Sequence, residues 1–195
     1  MEEIDLSPGE AILHERAPER CVVLLPGVRY FSQAPLLWFA REAALADGWS
    51  VLELSERAPR DEDPFAWMRG RAERALATAA DAADTVAVIG KSLASVAAPL
   101  VAERGLAAVW LTPLLVRPEV VAALTAAVTP TLLIGSTADP SWSDGERPAG
   151  DGLEVMELDA LDHSLQAEGD VARSLRVLGE VTERIARFLA ACGAA

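Results

Sequence analysis

Short apolar runs alternate with segments of helical period, and this alternation constrains the fold of the 195-residue chain more than any other feature. The runs are residues 21–25 (CVVLL), 50–54 (SVLEL), 85–89 (TVAVI), 107–111 (AAVWL), 131–134 (TLLI) and 153–158 (LEVMEL). Those that are apolar almost throughout read as central strands buried on both faces. A weaker alternation over 11–15 adds a candidate strand at an edge. Between the runs lie helices. Residues 35–46 carry Leu36, Leu37, Trp38, Phe39 and Leu45, and Gly48 stands where a left-handed stop belongs. Asp63 and Pro64 form a helix start, followed by Phe65, Met68, Ala72, Ala75 and Ala79 at spacings of three and four. The last helix shows the clearest stripe: Val171, Leu175, Leu178, Val181, Ile185 and Phe188. Strands and helices in alternation predict a three-layer α/β/α sandwich around a mostly parallel central sheet of six to seven strands. No linker, repeat or low-complexity tract interrupts residues 1–195, so a single domain is expected.

Composition narrows the function classes. Thirty acidic residues against 17 basic ones leave a net charge of −13, which disfavours phosphate backbones and anionic membrane surfaces. Lys91 is the only lysine. Two scattered cysteines, Cys21 and Cys192, suit a reducing compartment. The acidic start Met-Glu-Glu-Ile-Asp does not read as a signal peptide. The longest stretch without a formal charge, 120–138, is broken by Pro130 and Gly135 and does not read as a membrane span. A cytoplasmic location is expected. Two histidines and two distant cysteines form no ligand-spaced cluster, so neither a metal nor another cofactor is expected.

Ligands of such sheets bind beyond the carboxyl ends of the strands, so the residues just after each run matter most. Run 85–89 is followed by Gly90-Lys91-Ser92-Leu93-Ala94-Ser95, which leads into a helix expected over 94–103. Gly-Lys-Ser also occurs in phosphate-binding loops. Those need a glycine five residues before the Gly-Lys pair, where this chain has Thr85 inside the strand itself. The segment fits better as a nucleophile elbow, G-x-S-x-G between strand and helix, with Ala94 in place of the second glycine. A serine becomes a nucleophile only with a base at hydrogen-bond distance. His14 falls in the candidate edge strand, whereas His163 follows the final strand by five residues in Leu161-Asp162-His163-Ser164-Leu165. The acid that orients the imidazole is expected at Asp139, in Gly135-Ser136-Thr137-Ala138-Asp139, with Asp144 and Asp162 in reserve.

With Ser92, Asp139 and His163 in that order, the chain resembles small, cap-less α/β-hydrolases of the dienelactone-hydrolase-like kind, over roughly residues 20–190. The resemblance extends to Pro26-Gly27-Val28-Arg29-Tyr30, where the family's His-Gly or similar turn supplies an oxyanion-hole amide. By position it implies the backbone N–H groups of Val28 and Leu93 as the donors, with Arg29 as the alternative to Val28. It also implies a serine hydrolase acting on a carboxylic ester or thioester through an acyl-enzyme. The alternative is a non-catalytic α/β-hydrolase-like binding or partner module, which the Ala94 departure keeps open. Residues 112–116 alone separate run 107–111 from the next helix, so no cap is expected and the site should be open and shallow. Tyr30 and Trp142 are candidates to line it, while Trp38 and Trp110 read as packing residues. Lys91, beside the nucleophile, is expected to point away from the site.

Overall fold

The computed structural model describes residues 2–5, 10–55 and 60–193. Eight strands form one sheet: β1 (Glu2–Asp5), β2 (Glu10–His14), β3 (Ala17–Leu25), β4 (Trp49–Leu54), β5 (Thr85–Lys91), β6 (Ala107–Leu111), β7 (Thr131–Ser136) and β8 (Leu153–Leu158). Their spatial order is β1-β2-β4-β3-β5-β6-β7-β8. β1 and β2 pair antiparallel, as do β2 and β4, and every other neighbour is parallel. The sheet therefore has one strand more than the upper end of the expected six to seven. The addition is β1, whose Glu-Glu-Ile-Asp sequence offers no apolar run and is placed by backbone pairing with β2.

Six α-helices cover the sheet: α1 (Pro35–Ala46), α2 (Pro64–Ala82), α3 (Ala98–Glu103), α4 (Pro118–Ala126), α5 (Pro140–Ser143) and α6 (Val171–Gly193). Two cores result, because successive strand residues point to opposite faces. Val22 and Leu24 of β3 pack with Leu37 of α1 and Ile185 of α6 on one face. Val23 and Leu25 pack with Met68 and Leu76 of α2 on the other. The edge strand β8 is half solvated, with Glu154 and Glu157 exposed, as a protected edge should be. The Asp63 carboxylate accepts from the N–H groups of Phe65 and Ala66, capping α2 as its sequence predicts. Gly48, just past α1, takes the left-handed φ of +83°. Among the described residues, no helix is long and apolar enough to cross a membrane.

One local difference bears on the site. The helix expected from Ala94 begins instead as a 3-10 helix, Ser92–Ala97, and becomes α-helical only at Ala98. Pro99 has no N–H for the carbonyl of residue 95, which interrupts a continuous α-helical ladder there. The register then brings the ends of β3, β5, β6, β7 and β8 to one edge of the sheet. Leu25 lies beside Gly90, Lys91 beside Leu111, Leu111 beside Ile134 and Ser136 beside Leu158.

Candidate active site

Ser92 sits where β5 turns into the 3-10 helix, with φ at +52°. That left-handed conformation is uncommon for a non-glycine residue. Two residues before it, Gly90 has no room for a side chain. A β-carbon at Gly90 would stand 2.5 Å from the Trp110 ring and 3.0 Å from the β-carbon of Ala94. Ala94 therefore fits against a glycine, and its one methyl group is accommodated.

His163 reaches this serine from the loop after β8. Its Nε2 lies 2.7 Å from Ser92 Oγ, and its Nδ1 lies 2.7 Å from Asp139 Oδ2. With Nδ1 protonated, the ring donates to Asp139 and its Nε2 accepts from the Ser92 hydroxyl. Asp139 is 1% exposed, while the imidazole is 39% exposed. The second Asp139 oxygen accepts from the N–H of Ser141 and caps α5. One carboxylate thus caps the turn at α5 and bonds the His163 ring.

Asp162 has a different task. Its Oδ1 accepts from the N–H groups of Ser164 and Gln166, both at 2.8 Å, and so folds the loop that carries His163. Asp144 ends α5 and is bonded by the Ser143 hydroxyl. His14 pairs with Glu53 rather than with Ser92.

The turn at 27–30 lies against Ser92. The N–H of Gly27 donates to the Tyr30 carbonyl, and a β-carbon on Gly27 would stand 3.6 Å from the Ser92 β-carbon. Val28, at its tip, is 47% exposed. Leu93 has a buried side chain, and its N–H stands in the first turn of the 3-10 helix, where helical geometry supplies no carbonyl partner. Tyr30 lines a cavity beside the site, and its hydroxyl accepts from the N–H of Leu36. Burial raises the Tyr30 phenol above its ordinary range.

Trp142 departs from expectation. It is 1% exposed, packs over Gly135, donates from Nε1 to Glu157 and lies beneath Arg147. It is a buried support under the loop that carries Asp139 rather than a wall of an open site, because Gly135 leaves the space that its ring fills. A β-carbon at Gly135 would fall inside that ring. Gly135→Ala is expected to cost about 1–3 kcal/mol through overpacking, read as a lower urea midpoint.

Two charged residues near the site were poorly legible in the sequence. Lys91 is 1% exposed, and its ammonium donates to Thr112 Oγ1 at 2.9 Å and to the His163 carbonyl at 2.8 Å. It also lies 4.6 Å from the centroid of the Tyr30 ring. One cation thus holds the His163 loop, the turn after β6 and the turn at 27–30. Its chain reaches under the site rather than away from it. Burial pulls the Lys91 ammonium down to about 8, against the opposing attraction of Asp139 and Asp162. The second is Glu53, fully buried, which accepts from Ser32, Gln33, Arg41 and His14 and so ties down the loop between Tyr30 and α1. Burial alone would raise its carboxyl, but these hydrogen bonds outweigh it and hold it below its ordinary value. The signal for it was a lone Glu inside the apolar run 50–54.

Structural comparison places this architecture among known folds. Est1E from Butyrivibrio proteoclasticus, in a structure with ferulic acid bound, superposes with a TM-score of 0.77 at 14% identity, covering 100% of both chains. The esterase Pf2001 of Pyrococcus furiosus gives 0.70 at 16% identity, over 92% of this chain and 86% of its own. XC6422 from Xanthomonas campestris, described as an α/β serine hydrolase without lid, gives 0.63 at 15% identity, over 92% and 88%. No protein-family model matches the sequence, and no curated protein matches it significantly. The fold is that of the α/β-hydrolases.

Proposed function

We propose that this protein is a serine hydrolase that cleaves a carboxylic ester or thioester through an acyl-enzyme on Ser92. The observation that carries the reading is the continuous chain of two 2.7 Å hydrogen bonds from Ser92 through His163 to the buried Asp139. Such a chain supplies what an ordinary serine lacks, a base aligned on its hydroxyl and an acid that fixes the ring. Esterases among the structural neighbours favour an oxygen ester as the substrate.

In this reading Ser92 Oγ attacks the carbonyl carbon while its proton passes to His163 Nε2. The charge that develops on the carbonyl oxygen is met by the N–H groups of Val28 and Leu93. One such donor is worth about 10²–10³ in rate. The tetrahedral species collapses, the leaving alcohol or thiol takes the proton from His163, and the acyl group remains on Ser92. Water then attacks the acyl-enzyme, gives a proton to His163, and the acid departs as the serine recovers its proton. Asp139 stays ionised throughout and stabilises the imidazolium. Six residues, 112–117, join β6 to α4, so no cap is inserted there and the site faces solvent.

A fluorophosphonate probe tests the assignment directly. Wild-type protein is expected to be labelled, with the modified peptide mapping to Ser92, and His163→Ala is expected to abolish labelling. Folded wild-type protein that takes no label would move the reading to a binding module on this fold.

A further inference from the structure

The first turns of α6 are apolar where the fold leaves them uncovered. The stripe Val171, Leu175, Leu178, Val181, Ile185 and Phe188 keeps one helical period along the helix. Val181, Ile185 and Phe188 are buried against the sheet. Val171 and Leu175, on the same stripe, are 74% and 63% exposed. They line a cavity of about 610 Å³ together with Tyr30, Leu36 and the buried Leu165. That volume lies within the range of about 300–1,000 Å³ usual for small-molecule sites.

The cavity adjoins the triad from two directions. Tyr30 closes the turn whose Gly27 lies against Ser92, and Asp162 and Ser164 are the chain neighbours of His163. The charges that line the cavity are of one sign, while the buried Lys91 ammonium stands behind the Tyr30 ring, 4.6 Å from its centroid. Asp162 and Glu168 are the charged residues among those lining it, and both are acidic. The whole chain carries −13. An apolar group gains from covering the exposed side chains, whereas an anion would meet two carboxylates with no cation lining the cavity.

We propose that this groove binds the alkyl or aryl portion of an uncharged ester whose carbonyl lies at Ser92, and that it disfavours substrates with a carboxylate or phosphate on that portion. This specificity rests on the hydrolase reading above; the groove's affinity for an apolar ligand does not. The groove selects by length and charge, and the triad supplies the chemistry.

The test compares kcat/KM for p-nitrophenyl octanoate and p-nitrophenyl acetate in wild type, in Val171→Asp/Leu175→Asp and in Val128→Asp. Val128 is 89% exposed and lies outside the groove. The octanoate-to-acetate ratio is expected to fall about tenfold or more in the double variant and to keep its wild-type value in Val128→Asp. Both groove positions are exposed, so the substitutions spare the core. A ratio within about twofold of wild type in the double variant overturns the proposal.

A second measurement is independent of turnover. Binding of Nile red, a neutral apolar dye, to protein carrying Ser92→Ala is expected to weaken about fivefold or more when Val171→Asp/Leu175→Asp is added. If wild type cleaves neither ester but dye binding responds in this way, the groove stands and the hydrolase reading fails. If the esters are cleaved while neither the ratio nor dye binding responds, the groove proposal fails alone. Wild-type dimers that the double variant converts to monomers, with an unchanged ratio, would make the groove an interface between copies and also overturn it.

Discussion

Ser92→Ala is expected to lower turnover of a p-nitrophenyl ester by as much as about 10⁶-fold, the loss seen when a triad serine is removed from a well-studied protease. Some rate over water should survive, because oxyanion donors and the bound geometry remain. The loss should leave the fold intact. Ser92 contributes its hydroxyl to His163, and its φ of +52° is a conformation that the protein holds against local preference. Left-handed backbone at a non-glycine residue costs on the order of 1–3 kcal/mol. Ser92→Gly should therefore abolish activity just as completely while raising the urea midpoint, by an amount equivalent to about 1 kcal/mol. Opposite signs for activity and stability at one position would mark strain kept for chemistry. Turnover by Ser92→Ala within about tenfold of wild type would remove Ser92 from the mechanism.

Lys91→Met is expected to lower kcat by about 10–10²-fold, the scale on which small displacements of a reacting group act. The ammonium is bonded to the His163 carbonyl, so its loss frees the loop that aims the imidazole at Ser92. Stability should change far less. A lysine whose ammonium is pulled down to about 8, against an ordinary value of 10.5, is a cost to the folded state whenever it is charged. Between those two values the unfolded chain binds more protons than the folded one, so the contribution of Lys91 to stability rises with pH across that window. It is lost again as pH falls through about 8. The full change is on the order of 3 kcal/mol. Methionine removes that cost and also leaves the His163 carbonyl and Thr112 hydroxyl without this donor, at about 1–3 kcal/mol each. The two effects offset near neutral pH, so the melting temperature should move by only a few degrees while kcat falls.

The pH profile separates positioning from simple packing. Wild-type kcat is expected to decline above about 8, as the charge-assisted bond to the His163 loop becomes an ordinary one. The Met variant should lack that alkaline limb. Equal limbs in both proteins would show that Lys91 does not govern the loop.

Residue patterning alone makes the layered architecture and the chain order of the candidate site residues legible. Residues 21–25 and 86–89 are apolar throughout because their strands are covered on both faces, and the period of 171–188 marks one helix face. Ser92, Asp139 and His163 each follow a parallel strand in the chain, and this fold gathers such segments at one edge of the sheet. Periodicity reports which face a residue occupies; it does not report a partner dozens of residues away. Only the register of β5 with β6 and the path of the loop after β8 could bring Lys91 to Thr112 and to the carbonyl of His163, 72 residues away. Only the space left by Gly135 could bury Trp142 beneath the loop that carries Asp139. β1 carries no apolar run, so pairing had to place it. The α6 stripe shows the same division most plainly. Its sequence makes Val171 and Val181 equivalent, and the extent of covering structure left one exposed over a groove while burying the other.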